Sequence, residues 1–170
     1  MTARWLWLWC APLALAAAAC VDSRDGAQGG SPAPDFAHTD LEGRTVRLSE
    51  LRGRTVVIDL WATWCEPCVF QPPELNQVWK AHRASGKVVV LGVELGGASP
   101  DEIRAWGEEN DAVADYPLLW GADEDLARRF GAMGFPATVV IDPEGAIDSV
   151  TVGLATAAEI EQAIAHLVGS

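Results

Sequence analysis

Apolar residues along this chain fall into two unlike arrangements. An uncharged run, Trp5–Ala19, is continuous and made mostly of Trp, Leu and Ala, whereas from Asp35 onward short apolar stretches alternate with segments of helical spacing. Phe36–Asp40 and Thr45–Leu48, joined by Leu41-Glu42-Gly43-Arg44, predict a small hairpin, and Ser49 is expected to cap a short helical turn ending at Gly53. Thr55–Leu60 and Lys87–Val93 read as buried strands. A helix is expected over Cys65–Ala84, kinked at Pro72-Pro73 where two N–H donors are missing. Pro100–Glu109 predicts a second helix, Tyr116–Trp120 a short extended piece and Asp123–Phe130 a third helix. Ala137–Ile141 and Ala146–Val152 predict strands joined by the turn Asp142-Pro143-Glu144-Gly145, and Thr156–Val168 an amphipathic closing helix. This order implies a mixed sheet with helices on both faces.

The N-terminal run is too short for a stable membrane span and has the layout of a secretory signal, with Arg4 before it and the small residues Ala17-Ala18-Ala19 at its end. The reading is a signal segment over 1–19, a flexible Gly/Ser/Pro-rich tether over 20–34 and one domain over 35–170. Cys20, directly after the expected cleavage site, resembles the lipidated residue of a bacterial lipoprotein, although Ala17 stands where such sites usually carry Leu. Ordinary cleavage after Ala19 and an uncleaved anchor are the alternatives, and each puts the domain in the cell envelope, outside the cytoplasm. The formal charge is −12, and losing Arg4 with the signal takes it to −13. So acidic a domain is poorly suited to nucleic acid or an anionic membrane surface.

The chemistry concentrates in Trp61-Ala62-Thr63-Trp64-Cys65-Glu66-Pro67-Cys68. A strand that runs into a helix through Trp-Cys-x-x-Cys puts Cys65 at a helix start, where unpaired N–H groups favour the thiolate over the thiol. Cys68, a turn further on, can close a disulfide with it, so the pair can hold or pass on two electrons. Half of a zinc site would need a second ligand pair, but His38, His82 and His166 stand apart and Cys10 and Cys20 lie near the N-terminus. A purely structural bridge across two residues would remove little unfolded-state entropy. Asp59, flanked by Ile58 and Leu60, is expected to have a raised pKa and to accept the Cys68 proton; otherwise it is an outward, solvated strand residue. Trp64 is expected to shield the sulfur and contact substrate, and Trp61 to pack into the fold.

Several segments together carry a resemblance. Pro34-Asp35-Phe36, Leu48-Ser49-Glu50-Leu51-Arg52-Gly53, the run Asp59–Cys68 and Gly134-Phe135-Pro136-Ala137-Thr138 ahead of Asp142-Pro143-Glu144-Gly145 make the chain similar to the TlpA/ResA group of extracytoplasmic thiol:disulfide oxidoreductases. The resemblance implies a thioredoxin-like α/β fold with an extra N-terminal β-hairpin, and no cofactor or metal beyond the Cys65-Cys68 couple. By the same resemblance Cys65 is the attacking cysteine, Cys68 the resolving one, Glu66-Pro67 the dipeptide that tunes the potential and Pro136 the cis-proline facing the disulfide. Phe135 joins Trp64 and Pro136 in substrate contact. Asp59 occupies the position of thioredoxin's buried aspartate, a departure from many TlpA/ResA relatives, and Glu94 is a weaker acid/base candidate near the site. The implied function is a membrane-tethered monomer that reduces disulfides of envelope client proteins, in cytochrome c or copper-site maturation, with electrons from a membrane thiol:disulfide interchange donor. The alternatives are a copper-binding assembly protein of the Sco type and a peroxiredoxin-like peroxidase. The first calls for three residues between the cysteines and a distant histidine, and this chain has two residues and no histidine between His82 and His166.

Overall fold

The computed structural model describes residues 30–169. The expected signal segment, Cys20 and the start of the expected tether lie outside them. Seven strands, β1 (Ala37–Asp40), β2 (Thr45–Arg47), β3 (Thr55–Trp61), β4 (Val88–Glu94), β5 (Leu118–Trp120), β6 (Ala137–Ile141) and β7 (Ile147–Val152), form one mixed sheet in the order β2-β1-β5-β4-β3-β6-β7. Its centre is parallel, β3 beside β4 and β4 beside β5, and every other pairing is antiparallel. The helices are α1 (Gln71–His82), α2 (Pro100–Glu109), α3 (Glu124–Arg129) and α4 (Ala157–Val168).

Strand β3 is buried along its whole length, which is why it reads as an unbroken apolar run. Its side chains alternate between two cores. Val56, Ile58 and Leu60 pack with Leu126, Ala127 and Phe130 around α3 on one face, while Val57 packs with Leu75, Val78, Ile160 and Ile164 of α1 and α4 on the other. Trp61 continues this second face and meets Ile103 and Trp106 of α2. Helices α2 and α4 each start in a full capping box, Ser99 with Glu102 and Thr156 with Glu159, in which serine or threonine receives the third-residue N–H and glutamate reaches back to the cap.

Residues 31–33, within the expected tether, are joined to the sheet: Ile147 N–H donates to the Ser31 carbonyl (2.9 Å), Ala33 N–H donates to the Gly145 carbonyl (3.0 Å), and Ala33 packs against the core. Two expectations change. Ser49 is not a cap. It lies within a 3-10 turn, Leu48–Leu51, and its N–H and hydroxyl both donate to the Asp35 carboxylate. The prolines do not kink a helix already under way, because α1 starts only at Gln71 and Pro72-Pro73 fall in its first turn, where the missing N–H groups have no intrahelical acceptor to lose.

Candidate active site

The site forms where β3 ends. Cys65 caps a 3-10 segment, Glu66–Phe70, that leads directly into α1, and it is joined to Cys68 in a disulfide with Cα atoms 5.4 Å apart. The Cys65 N–H donates to the Ala62 carbonyl, the Cys68 N–H donates to the Cys65 carbonyl, and Pro67 has none. A Cys65 thiolate therefore meets fewer free donors than a full α-helical N-terminus would offer. The two sulfur residues are not equivalent. Cys65 retains 5% exposure and lines an open cleft, whereas Cys68 retains 1% and does not.

That cleft, of about 560 Å³, is bordered by Trp64, Cys65 and Pro67 on one side and Arg128, Met133 and Phe135 on the other. Trp64 is 60% exposed with its ring centroid 5.6 Å from that of Phe135, and Met133 is 82% exposed. The Phe135–Pro136 peptide is cis, and β6 begins at the next residue. Trp61, by contrast, is buried and tilted against Trp106 with centroids 4.6 Å apart. The two tryptophans thus divide as expected, one to the cleft and one to the core.

Asp59 points to the α1/α2 face of β3, as do Val57 and Trp61, and is buried. Desolvation, with no charge partner to offset it, pushes its pKa up to about 8, so the carboxyl is neutral over most of the physiological range. Its cross-strand neighbours are Gly92 on β4 and Thr138 on β6. Glu94 is fully buried, but both of its oxygens are engaged: Oε1 accepts from Gly96 N–H (2.8 Å) and Oε2 from Ala98 N–H (3.0 Å). It organises the loop between β4 and α2. A Cβ on Gly96 would lie 2.7 Å from Trp64 Nε1, so this loop is the surface on which the Trp64 indole rests.

Two contributors escape the sequence reading. Gln71, three residues after Cys68, is fully buried and exchanges both amide hydrogen bonds with the backbone of Ala155 (2.9 and 3.0 Å), tying the start of α1 to the loop before α4. Its polar character on the inward face of a helix start was the available signal. Tyr116, buried beside Asp59, carried none, since nothing in its local pattern links it to residue 59. Among the described residues no group of three or more His, Cys, Asp or Glu side chains is arranged to hold a metal ion.

Residues 30–150 match the AhpC/TSA family. The chain belongs to that family. The ResA thiol-disulfide oxidoreductase of Geobacillus thermodenitrificans is 31% identical over 78% of this chain and 74% of its own length. The ResA of Bacillus subtilis is 29% identical over 75% of this chain and 69% of its own. Among solved structures, a protein assigned as a thiol:disulfide interchange protein DsbE from Chlorobium tepidum superposes with a TM-score of 0.72 at 30% identity, covering 83% of this chain and 98% of that one. An exposed lipoprotein thioredoxin, Etrx1, from Streptococcus pneumoniae gives 0.68 at 28% identity, covering 79% and 100%. The molecule is a ResA-like thiol:disulfide oxidoreductase with a thioredoxin-like fold, and Cys65 and Cys68 form a disulfide in a Cys-x-x-Cys arrangement.

Proposed function

We propose that this ResA-like protein works as a reductant of disulfides in extracytoplasmic client proteins, held to a membrane through lipid on Cys20. The observation that carries the reading is the disulfide opening through Cys65, and not Cys68, onto an apolar cleft beside Pro136. In the reduced protein the Cys65 thiolate attacks one sulfur of a client disulfide, and the client's other sulfur leaves as a thiolate that takes a proton from solvent. The Cys68 sulfur then attacks the Cys65 sulfur of the mixed disulfide, expelling the client's second sulfur as a thiolate that takes a proton from solvent and leaving the Cys65–Cys68 disulfide. Two electrons pass to the client, and a membrane thiol:disulfide interchange donor returns them. Trp64, Phe135 and Pro136 hold the client segment, Glu66-Pro67 tunes the potential, and Asp59 takes the Cys68 proton in the fraction of molecules in which its carboxyl is ionised, a fraction that grows as pH approaches 8. Clients whose cysteines must be reduced before haem or copper is attached fit this role. The lipoprotein named among the structural relatives supports the anchor.

Direction is tested by the reduction potential of the purified protein, equilibrated with a dithiothreitol buffer. A reductant is expected near the ~−270 mV of thioredoxin, and a value near the ~−120 mV of a strong oxidant would reverse the assignment. Mass spectrometry of the membrane fraction tests the anchor: an acylated N-terminal peptide starting at Cys20 is expected, and an unmodified Cys20 thiol refutes it.

A further inference from the structure

Met133 is the most exposed large apolar side chain among the described residues, and it borders the cleft onto which Cys65 opens. Its backbone is held on both sides. Ala132 N–H donates to the Ala127 carbonyl of α3 (2.9 Å), a Cβ on Gly134 would lie 3.3 Å from Val152 Cγ1, and the cis Phe135–Pro136 peptide follows. The fold itself therefore presents this side chain to solvent, beside the disulfide. Leucine there would supply as much apolar surface. Methionine adds a flexible, polarizable thioether that adapts to partners of different shape, and one reaction that leucine lacks, two-electron oxidation to the sulfoxide. The only other methionine in the chain is Met1, so the domain holds a single thioether. With Cys65 and Cys68 joined in their disulfide, neither offers an oxidant the thiolate it attacks most readily.

We propose that Met133 is a modification site, at which oxidation by a peroxide shuts the cleft to protein clients. The proposal rests on that cleft receiving the client. The Met133 sulfur attacks one oxygen of hydrogen peroxide, the O–O bond breaks and an S–O bond forms, while the second oxygen leaves with both protons as water. The thioether is oxidised by two electrons and the peroxide reduced by two. The new sulfoxide oxygen is a polar acceptor on a wall that was apolar. A client that covers it strips away its water and offers an apolar surface in return, so docking is penalised. The sulfur chemistry is spared, because no step of the exchange passes through Met133, which stands across the cleft from Cys65. Under peroxide stress the protein then stops handing electrons to clients while its dithiol remains able to cycle, and a methionine sulfoxide reductase restores the wall.

The full chain, in its disulfide form, is treated with hydrogen peroxide, mapped by mass spectrometry, then reduced with dithiothreitol and freed of it. Exchange is timed with two probes, a disulfide-bridged peptide with apolar residues beside its cysteines and glutathione disulfide. One added oxygen is expected on Met133. Exchange with the peptide is expected to slow about tenfold, which corresponds to ~1.4 kcal/mol of lost docking, with glutathione disulfide unaffected and the peptide rate recovered after methionine sulfoxide reductase. In Met133→Leu the peptide rate is expected to be the same before and after peroxide. An unmodified Met133, an oxidised Met133 with an unchanged peptide rate, or equal slowing in Met133→Leu overturns the proposal, as does equal slowing with both probes. A Cys68→Ser chain carrying the peptide as a mixed disulfide is expected to have its Met133 oxidised more slowly than the parent, and equal rates place Met133 outside the docked surface and overturn it too. An untreated chain that fails to exchange with the peptide removes the client reading and this proposal together.

Discussion

Asp59 shows how one residue links burial to chemistry. Its carboxyl is desolvated with no neighbouring cation, so the folded pKa of about 8 lies far above the 3.8 of the unfolded chain. Between those two values the unfolded state has lost the proton and the folded state has kept it, so stability from this group is fully present below pH 4 and declines as pH rises toward 8. Asp59→Asn removes the penalty. Chemical denaturation at pH 7 should find the variant more stable than the parent by about 2–4 kcal/mol, with the gap closing toward pH 4; a gap independent of pH would mean that Asp59 is solvated. The rate of mixed-disulfide resolution in the parent should rise with pH to an inflection near 8, and that inflection should be missing in the Asn variant. The apolar flanks Ile58 and Leu60 made this burial legible in the sequence, because a strand buried on both faces leaves no solvated side for residue 59. Tyr116 was not legible, because its approach to Asp59 depends on β5 lying beside β4, a long-range pairing that nothing in the chain around residue 59 announces.

At the scale of elements, the sequence carried what short-range physics decides. The helices expected over Pro100–Glu109 and Thr156–Val168 form there, and each starts in a capping box whose hydrogen bonds span three residues. Ser49 misled for the same reason: its pattern suits a cap, but its partner Asp35 is fourteen residues away and is brought near only by the hairpin. The proline pair also has two local solutions, a kink within a helix or a late helix start, and the 3-10 segment that carries Cys68 selects the second. The loop between β4 and α2 is an element whose role rests on one missing atom. Gly96→Ala would place a methyl group 2.7 Å from Trp64 Nε1 and from Glu94 Oε1, and the exposed indole is the group free to move. Exchange with a protein client should slow about 2–10-fold, the worth of one aromatic contact of ~0.5–1.5 kcal/mol, while exchange with dithiothreitol is unchanged. Equal slowing with both partners would show that the loop acts on the sulfurs and not on the indole.

Across the whole molecule, the sheet order places the β3 C-terminal end, the cis peptide before β6 and the cleft above α3 around one sulfur, while α2 closes a separate cavity beneath. The mixed sheet with helices on both faces was legible because alternation of strands and helices constrains the sheet to few topologies, whereas its thioredoxin-like character came from the family resemblance carried by Asp59–Cys68 and Gly134–Thr138. The difference between a cysteine that lines the cleft and one that does not depends on the fold as well as on the motif. The most direct test is therefore mechanism-based capture: the full-length chain with Cys68→Ser is reduced, mixed with a disulfide-bearing protein client and analysed by mass spectrometry. A stable mixed disulfide through Cys65 is expected to accumulate, with none in the Cys65→Ser chain. Absence of any adduct, or an adduct formed through Cys68 when Cys65 is replaced, would contradict the account.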